Sequence, residues 1–390
     1  MLKLKDFIEN NANWEELLTN SPYNLIIKRD SPYIMFKYNQ LSSDFTLDLV
    51  REARGIIFRE DDWTCVCHPF DKFGNYGERY CSEIDWSSAS VQEKVDGSLI
   101  KFWYDNSCWH ISTNGTIDAY KAIIGVSNES EDESYGKLVL EAIKNADLTA
   151  NDFFENLNKN NIYMFELVSP QTRVVVPYEN TELYFLGYRC KVNDKEYSIY
   201  GSNYGEVVDF IKKYFKVPQV YSLYTLDQVE EAAKHLPWNE EGYVVCDKNF
   251  NRVKIKSPDY VRVHHLSTLK GPVTTERLID LVLKNEHKEF LIYFPEYKRR
   301  VANIEGIRKC VYANCIVDLR DIENNYHPKT RKEFAEIVNT KYPEYERPYL
   351  FGGIDNLGPN LFKKMTVTKY SKLIKDYLND ERWGKREWPV

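Results

Sequence analysis

The sequence predicts an α+β fold in two parts, an antiparallel-sheet domain over residues 1–265 and an all-helical domain over residues 266–390. Between Tyr33 and Tyr260, short segments rich in β-branched and aromatic residues alternate with polar breaks, which is typical of antiparallel sheets. Beyond this region apolar residues recur every three or four positions, which predicts helices. The net charge of −7 also divides there, into −12 for the first part and +5 for the second. We place the boundary near residues 262–273.

Eight segments of the first part are predicted strands: YIMFKY, ARGIIF, LIKFWY, IYMFELV, RVVVPY, ELYFLGY, GYVVCD and RVKIK. Helices are predicted to interrupt them at GKLVLEAIKNA and EVVDFIKKYF. In the second part, helical spacing joins three sets of apolar residues: Leu278, Leu281 and Val282; Val301, Ile304, Val311, Cys315 and Leu319; and Tyr370, Leu373, Ile374, Tyr377 and Leu378.

Composition indicates an ordinary globular protein, with 43% hydrophobic and 28% charged residues among 390. No apolar run has the length of a membrane span, and the first residues, MLKLKDFIENNANW, are too polar for a signal peptide. We therefore expect a cytoplasmic protein that binds no membrane.

The eight cysteines predict reduced thiols rather than a disulfide framework or a zinc site. Cys65, Cys67 and His68 lie close together, but no second half-site follows at zinc spacing.

The stretch EKVDGSLI, residues 93–100, contains the first candidate for chemistry. Lys94 follows Glu93 and precedes Asp96 and Gly97 in a segment otherwise suited to a strand. One interpretation is a surface lysine at an Asp-Gly turn. The other is a lysine nucleophile, which must lose its proton to react and so needs a lowered pKa, through burial or neighbouring cations.

Such cations are available in RVKIKSPDY, where Lys254 and Lys256 alternate and so point to one face of a strand. Two lysines on one face repel each other and favour an anion such as a triphosphate, although a solvated edge strand would look the same. Arg54, which precedes a glycine in EARGIIF, and Lys72, in an aromatic loop, suit phosphate binding in the same way.

Two acidic residues complete the set. Glu166 is the one charge in the apolar segment IYMFELV, where an unpaired carboxylate is costly. A ribose hydroxyl, a metal ion or a neighbouring arginine would each satisfy it. Glu241, at the head of a strand, is suited to Mg²⁺.

The order of these motifs resembles that of the ATP-dependent nucleotidyltransferase superfamily, and most closely the bacteriophage RNA ligase 1 family, which repairs cleaved tRNA. The resembling stretches cover residues 51–265 almost without a gap: EARGIIF, FDKFGNYGE, EKVDGSLI, ISTNGTI, ELVSPQTRVVVPY, EGYVV and VKIKSPDYVRVHHL. YLFGGI, at 349–354, extends the likeness into the helical part. The resemblance implies a nucleotidyltransferase (ATP-grasp-like ligase) domain followed by the helical domain, with no OB domain.

The resemblance also implies a role for each residue. Lys94 would be adenylylated, with Asp96 and Gly97 completing its motif and Gly97 leaving room for the ligand. The remaining implied groups are Glu241 at the metal and, at the nucleotide, Arg54, Lys72, Glu93, Glu166, Lys254, Lys256 and Tyr260. Tyr188 would either stack on adenine or pack within the sheet.

Two positions depart from the family pattern: Asn114 stands where a basic residue is usual, and Gly74 where an aromatic one is. Both leave the substrate preference open. A DNA ligase is disfavoured because KVDGSLIK lacks the arginine expected after the lysine motif, and because no RxDK motif follows Lys256.

The resemblance therefore predicts an RNA ligase that uses ATP with Mg²⁺ or Mn²⁺ to join 5′-phosphate and 3′-hydroxyl ends of RNA, tRNA-like in structure. We expect a monomer whose helical domain contacts RNA through Lys298, Arg299 and Arg300 and through the lysines of MTVTKYSKLIKDYL. The alternatives are another nucleotidyltransferase, such as a DNA ligase or a guanylyltransferase, and a non-catalytic RNA-binding relative.

Overall fold

The computed structural model of the chain describes residues 2–124, 133–200, 206–267, 273–354 and 366–379. The chain divides into two compact units, the first formed mainly by Met1–His265 and the second mainly by Val273–Val390.

The first unit contains three antiparallel sheets. The strands, in chain order, are β1 (Leu25–Asp30), β2 (Tyr33–Tyr38), β3 (Arg54–Arg59), β4 (Cys65–Cys67), β5 (Ser90–Glu93), β6 (Ser98–Asp105), β7 (Cys108–Thr113), β8 (Asn161–Val168), β9 (Glu182–Cys190), β10 (Lys195–Tyr197), β11 (Val220–Tyr221), β12 (Gly242–Cys246) and β13 (Arg252–Lys256). Their orders are β1-β2-β3-β4, β10-β9-β8-β6-β7 and β11-β5-β12-β13.

Helices flank these sheets and form the regular structure of the second unit. The first eight are α1 (Lys3–Asn10), α2 (Trp14–Thr19), α3 (Asp48–Glu52), α4 (Tyr135–Asn145), α5 (Ala150–Glu155), α6 (Glu206–Tyr214), α7 (Leu226–Lys234) and α8 (Pro258–Ser267). They are followed by α9 (Thr275–Lys284), α10 (His287–Tyr293), α11 (Lys298–Asp321), α12 (Arg331–Lys341), α13 (Arg347–Ile354) and α14 (Val367–Leu378).

Helices α4, α5 and α6 cover one face of the five-stranded sheet with an aromatic core. Phe102 of β6 meets Phe153 of α5 and Phe165 of β8 edge to face, with ring centroids 5.3 Å apart in both pairs. All three side chains are fully buried. This packing fixes β6 and β8, the two strands that border the site described below.

Seven of the eight predicted strands and both predicted helices of the first unit are confirmed. The prediction for RVVVPY is wrong, because residues 173–178 form an irregular loop. The N–H groups of Val175 and Val176 donate to the carboxylate of Asp96, at 3.0 and 2.9 Å, instead of pairing with a strand.

In the second unit, every regular element within 273–354 and 366–379 is helical. The predicted apolar sets lie in α9, α11 and α14, and all their members are buried except Leu319, which is half-buried. YLFGGI falls in α13. Within the described residues no helix is both long and apolar enough to cross a membrane. All eight cysteines are free, as predicted.

Candidate active site

Lys94 lies in the connection between β5 of the β11-β5-β12-β13 sheet and β6 of the five-stranded sheet. Its backbone N–H donates to the Gly242 carbonyl at 2.9 Å, which continues the pairing of β5 with β12. Its Nζ donates to Oε2 of Glu241 at 2.6 Å, and only 18% of the side chain is exposed. Lys94 is thus a largely buried lysine fixed at both ends, not a surface lysine at a turn.

Gly97 allows the start of β6 to lie against β8. A Cβ atom at this position would lie 2.4 Å from the carbonyl oxygen of Leu167 and 2.9 Å from Cγ of Glu166. Gly97 also lines the cavity described below. The structure therefore gives this glycine a packing reason that the predicted approach of a ligand did not include.

Glu241 joins Lys94 to Lys256 of β13. Its Oε2 accepts from Lys94, and its Oε1 lies 2.7 Å from Nζ of Lys256. Burial alone would raise the pKa of Glu241, but the two ammonium groups outweigh burial and hold the pKa below its usual value. The carboxylate thus stays charged between the two lysines.

The expected lowering of the Lys94 pKa is not found. Burial acts in that direction, but the carboxylates of Glu241 and Glu166 outweigh it and raise the pKa of Lys94. As the structure stands, Lys94 is a protonated amine held in an ion pair.

Asp96 connects three parts of the first unit. Its Oδ2 accepts from the backbone of the 173–178 loop, and its Oδ1 accepts from the hydroxyl of Tyr260, in α8, at 2.8 Å. Burial, with a contribution from the Glu241 carboxylate, raises the pKa of Asp96. Neither Asp96 nor Tyr260 lines the cavity beside Lys94; in this structure they tie the loop and the helix together.

Arg54 and Lys254 converge on one aromatic ring. The Arg54 guanidinium lies 5.1 Å from the ring centre of Phe73, and Nζ of Lys254 lies 4.7 Å from it. The Arg54 Nε is buried without a hydrogen-bond partner, and its Nη1 donates weakly to the Asp71 carbonyl at 3.3 Å.

Lys72 lies nearby, with Nζ over the rings of Tyr38 and Phe45 at 5.4 and 5.3 Å. Burial and the charge of Arg54 lower the pKa of Lys72 to about 8. Burial and the neighbouring lysines also lower the pKa of Lys254 well below its usual value. Neither lysine forms an ion pair with any residue that the structure describes. Together with Arg54 they make a cation cluster suited to an anion.

A cavity of about 630 Å³ opens between these groups and β6. Its lining includes predicted site residues, Arg54, Glu93, Lys94, Gly97, Glu166 and Lys254, and apolar side chains, Phe70, Val95, Leu99 and Leu186. Its volume is in the range of small-molecule and cofactor sites.

The two acidic residues of this cavity are held differently. Burial raises the pKa of Glu166 to about 7, against the opposing charges of Lys94 and Arg54. Glu93 accepts from the Gln219 N–H at 3.2 Å, and burial raises its pKa as well. Both carboxyl groups are therefore easier to protonate than an exposed glutamate.

Not all predicted site residues meet in this cavity. Lys256 and Tyr260 line a second cavity of about 430 Å³, which shares Lys254 with the first. Lys72 lines neither. Tyr188 stacks on Tyr197 at 5.3 Å between ring centres, so it packs in the sheet.

The two departures from the family pattern differ in what the structure shows of them. A Cβ atom on Gly74 would lie 3.1 Å from both Glu78 and Tyr80, which leaves no room for an aromatic side chain without a shift of the loop. Asn114 lines the first cavity, and its Oδ1 is buried without a hydrogen-bond partner.

Sequence reasoning missed Lys101, a lysine of β6 with no exposed surface. Its Nζ donates to the Gly55 carbonyl at 2.5 Å, directly after Arg54. Burial, with the charges of Arg54 and Lys37, lowers the pKa of Lys101 to about 8. The available signal was the same one that identified Glu166, a single charge in an apolar strand segment, here LIKFWY.

Within the described residues, no group of three or more His, Cys, Asp or Glu side chains is arranged to hold a metal ion. The first unit therefore offers single carboxylates, such as Glu241, rather than a complete protein cage. This donor set fits Mg²⁺ or Mn²⁺, which is commonly held by one or two carboxylates together with substrate phosphates.

The fold and site define a mixed α/β protein with a buried lysine beside a cation-lined cavity. A family model described as RNA ligase matches residues 52–260, a segment that contains every predicted site residue. The chain belongs to this RNA ligase family, whose members are enzymes. This assignment does not favour a DNA ligase, a guanylyltransferase or a non-catalytic relative.

Relatives from phages and viruses agree with this assignment. The chain is 27% identical over 366 residues to an RNA ligase of Rhodothermus phage RM378, covering 81% of this chain and 80% of that protein. It is 31% identical over 282 residues to a putative bifunctional polynucleotide kinase/RNA ligase of Autographa californica nuclear polyhedrosis virus, covering 68% of this chain and 38% of the viral protein. It is also 28% identical over 154 residues to RNA ligase 1 of bacteriophage TS2126, which covers 37% of this chain and 36% of the phage protein.

Similar solved structures are more distant. Naegleria gruberi RNA ligase with PPi has 13% identity and a TM-score of 0.34, over 46% of this chain and 52% of that one. An archaeal ATP-dependent RNA ligase has 12% identity and a TM-score of 0.39, over 68% and 67%. The chain thus spans about half of the Naegleria structure, and a likeness this low carries no argument about the site.

Proposed function

We propose that this RNA ligase joins 5′-phosphate and 3′-hydroxyl ends of RNA with ATP, through an AMP group carried on Lys94. The observation that carries the proposal is the position of Lys94, buried beside a cation-lined cavity and hydrogen-bonded to Glu241. Lysine is a suitable carrier because a phosphoramidate N–P bond keeps the phosphoryl group activated. Phosphoryl transfer otherwise requires mainly alignment and charge compensation, and the cation cluster suits both.

In the first step, the neutral Nζ of Lys94 attacks the α-phosphorus of ATP. The N–P bond forms, the bond from the α-phosphorus to the bridging oxygen breaks, pyrophosphate leaves, and the amine releases a proton to solvent. Arg54, Lys72 and Lys254 would compensate its charge, and Glu93 and Glu166, which line the first cavity, would accept hydrogen bonds from the nucleoside. Asp96 and Tyr260 hold the surrounding loop and helix in place.

Glu241 controls the charge of Lys94. Because Glu241 stabilises the protonated amine, Lys94 becomes nucleophilic only when the ion pair with Glu241 weakens and the amine loses its proton. The Glu241 carboxylate would hold a divalent cation, and such a cation supplies charge neutralisation at the phosphates. Lys256 remains on the other oxygen of Glu241 and keeps the carboxylate oriented.

In the second step, an oxygen of an RNA 5′-phosphate attacks the phosphorus on Lys94. A P–O–P linkage forms, the N–P bond breaks, and Lys94 regains a proton. In the third step, a 3′-hydroxyl oxygen attacks the RNA 5′-phosphorus, AMP leaves, and the hydroxyl proton passes to solvent. The site residues are needed as charges and positioning groups in both steps.

The proposal extends to the whole chain. Residues 1–265 would form the adenylyltransferase domain, and residues 266–390 an all-helical RNA-specificity domain in place of an OB domain. The positive charge of the second part, +5, supports contact with a structured, tRNA-like RNA. We expect a monomer that acts in the cytoplasm.

The test is incubation with ATP labelled at the α-phosphorus and Mg²⁺, followed by denaturing electrophoresis. The wild-type protein should retain the label, and added pyrophosphate should remove it. Lys94→Arg, whose guanidinium stays charged, should fold but not label. An unlabelled wild-type protein, or a labelled Lys94→Arg variant, would refute the proposal.

A further inference from the structure

The second cavity, of about 430 Å³, shares Lys254 with the first. Lys254, Lys256, Tyr260 and Tyr76 contribute to its lining. Lys256, which lines this cavity, contacts the same carboxylate as Lys94. A ligand in the second cavity would thus be near Lys94 without entering the first.

Tyr76 gives this cavity an exposed aromatic side chain on a fixed loop. Its exposed fraction is 47%, and it lines the cavity together with Lys254 and Lys256. The Tyr76 N–H donates to the Lys254 carbonyl at 2.8 Å, and the Lys254 N–H donates to the Gly74 carbonyl at 3.0 Å. The loop is thereby held to the edge of β13, and the tyrosine is presented by a rigid backbone.

Asn75 adds a polar group of known orientation. Its Nδ2 donates to Oε1 of Glu78 at 2.7 Å, and its backbone N–H donates to Oε2 of the same carboxylate at 2.7 Å. The Oδ1 must therefore be the free end of the amide, and it is buried without a hydrogen-bond partner. The contacts of Asn75 with Glu78 thus help to fix the loop that presents Tyr76.

We propose that the second cavity binds the 5′-phosphorylated end of the RNA, with the terminal phosphate at Lys254 and Lys256 and the terminal base stacked on Tyr76. Glu230 also lines this cavity. Because its negative charge repels a phosphate, it favours the phosphate position at Lys254 and Lys256. Exposed aromatic residues beside cations are typical of surfaces that bind single-stranded RNA.

The assignment of this cavity to the 5′-phosphorylated strand rests on the proposed function. Once AMP occupies the first cavity, the incoming phosphate needs a separate cation-lined approach to Lys94. The second cavity supplies cations next to that site, since it shares Lys254 with the first cavity and its Lys256 contacts the carboxylate that also holds Lys94. The strand that supplies the 5′-phosphate, rather than the one that supplies the 3′-hydroxyl, is therefore assigned to it.

The experiment separates the steps in Tyr76→Ala, Tyr76→Trp and the control Tyr224→Ala. Tyr224 is also an exposed loop tyrosine of the first unit, 67% exposed, and it lines neither cavity. Labelling by ATP should stay within about twofold of wild type in all three. Transfer of AMP to a 5′-phosphorylated RNA oligonucleotide should need roughly tenfold more RNA in Tyr76→Ala, because one stacked base is lost. Tyr76→Trp should need about as much RNA as wild type, because tryptophan also stacks on a base, and Tyr224→Ala should behave as wild type.

Unchanged transfer by Tyr76→Ala overturns the inference. So does a defect confined to joining a pre-adenylylated RNA to a 3′-hydroxyl, which would assign the cavity to the other strand. If the wild type does not label with ATP, the proposed function fails separately. Fluorescence anisotropy of the same RNA still decides the inference in that case, since Tyr76→Ala should bind it more weakly than Tyr224→Ala does.

Discussion

At the scale of single residues, Glu241 decides the state of the proposed nucleophile. The sequence placed Lys94 among cations and predicted a lowered pKa. The fold instead places the Glu241 carboxylate on its Nζ, and the charges of Glu241 and Glu166 raise its pKa. Near the site, the lysines with a lowered pKa are Lys72, Lys101 and Lys254. Sequence patterns show which charges approach a site, but not which of them make contact.

Replacing Glu241 by glutamine should therefore lower the pKa of Lys94, because the nearest opposing charge is removed. The measurement is the pH dependence of Lys94 acetylation in the ATP-free protein, followed by mass spectrometry. Glu240→Gln is the matched control, since Glu240 is exposed and adjacent in sequence. An unchanged acetylation profile in Glu241→Gln would contradict the assigned role of this carboxylate.

Glu166 should make stability depend on pH. Its pKa of about 7 in the folded chain lies above the ordinary 4.5. Its contribution to stability is therefore present below about pH 4.5 and is lost as the pH rises through 7. Glu166→Gln is neutral throughout, so its stability relative to wild type should increase between pH 5 and pH 8 by roughly 1–3 kcal/mol.

Urea unfolding of the ATP-free protein at the two pH values measures this difference. Glu155→Gln, at an exposed position in α5, should show no such change. The same pH dependence in Glu166→Gln as in wild type would show that Glu166 titrates normally.

At the scale of elements, the strand pattern was largely predictable and one loop was not. RVVVPY has the composition of a strand, but two of its N–H groups bond to Asp96, a residue 79 and 80 positions earlier. A side-chain acceptor so distant in sequence leaves no local signal. The position of Lys101 beneath Arg54 was likewise unpredictable, because it depends on the meeting of β6 with the start of β3.

Lys101 should position Arg54 and Gly55 at the start of β3. Gly55 has a φ of +76°, and a Cβ there would lie 2.7 Å from the Asn114 carbonyl oxygen, so this start of the strand is tightly enclosed. Lys101→Met removes the hydrogen bond to Gly55 and the buried charge. We expect unchanged or higher thermal stability, since burying an ammonium is costly, together with a roughly tenfold higher KM for ATP in self-labelling.

Lys191→Met is the matched control, because Nζ of Lys191 also donates to a backbone carbonyl, that of Tyr104, at 2.6 Å. Lys191 does not line the first cavity. Equal KM values for the two variants would mean that Lys101 has no specific role in nucleotide binding.

At the scale of the whole molecule, the charge difference between the two parts remains the main indication of RNA contact. The structure reduces the set of basic residues that were predicted to contact RNA. Arg300 donates to the Val273 carbonyl and the Thr275 hydroxyl, which gives it a packing role. Lys369, Lys372 and Lys375 are exposed on α14, whose opposite side is buried. The sequence pattern had predicted this division of α14.

Replacing Lys369, Lys372 and Lys375 together by alanine should leave labelling by ATP unchanged and weaken binding of a nicked, tRNA-like RNA. Binding should also depend less on salt. If all three lysines contact phosphates, the slope of log K against log [salt] should become smaller in magnitude by about two to three. Binding at several salt concentrations measures this. A variant lacking Lys144, Lys213 and Lys234, exposed lysines of the first unit, is the control. Equal slopes in the two variants would exclude α14 from the RNA surface.

The measurement that tests the central claim most directly is the position of AMP on the labelled protein. After incubation with ATP and Mg²⁺, proteolysis at neutral to alkaline pH and mass spectrometry should find AMP on the peptide containing Lys94, bound to its Nζ. Lys72, Lys101 and Lys254 have lowered pKa values and would be favoured if basicity alone chose the nucleophile. AMP on any of these lysines, with Lys94 unmodified, would contradict the account.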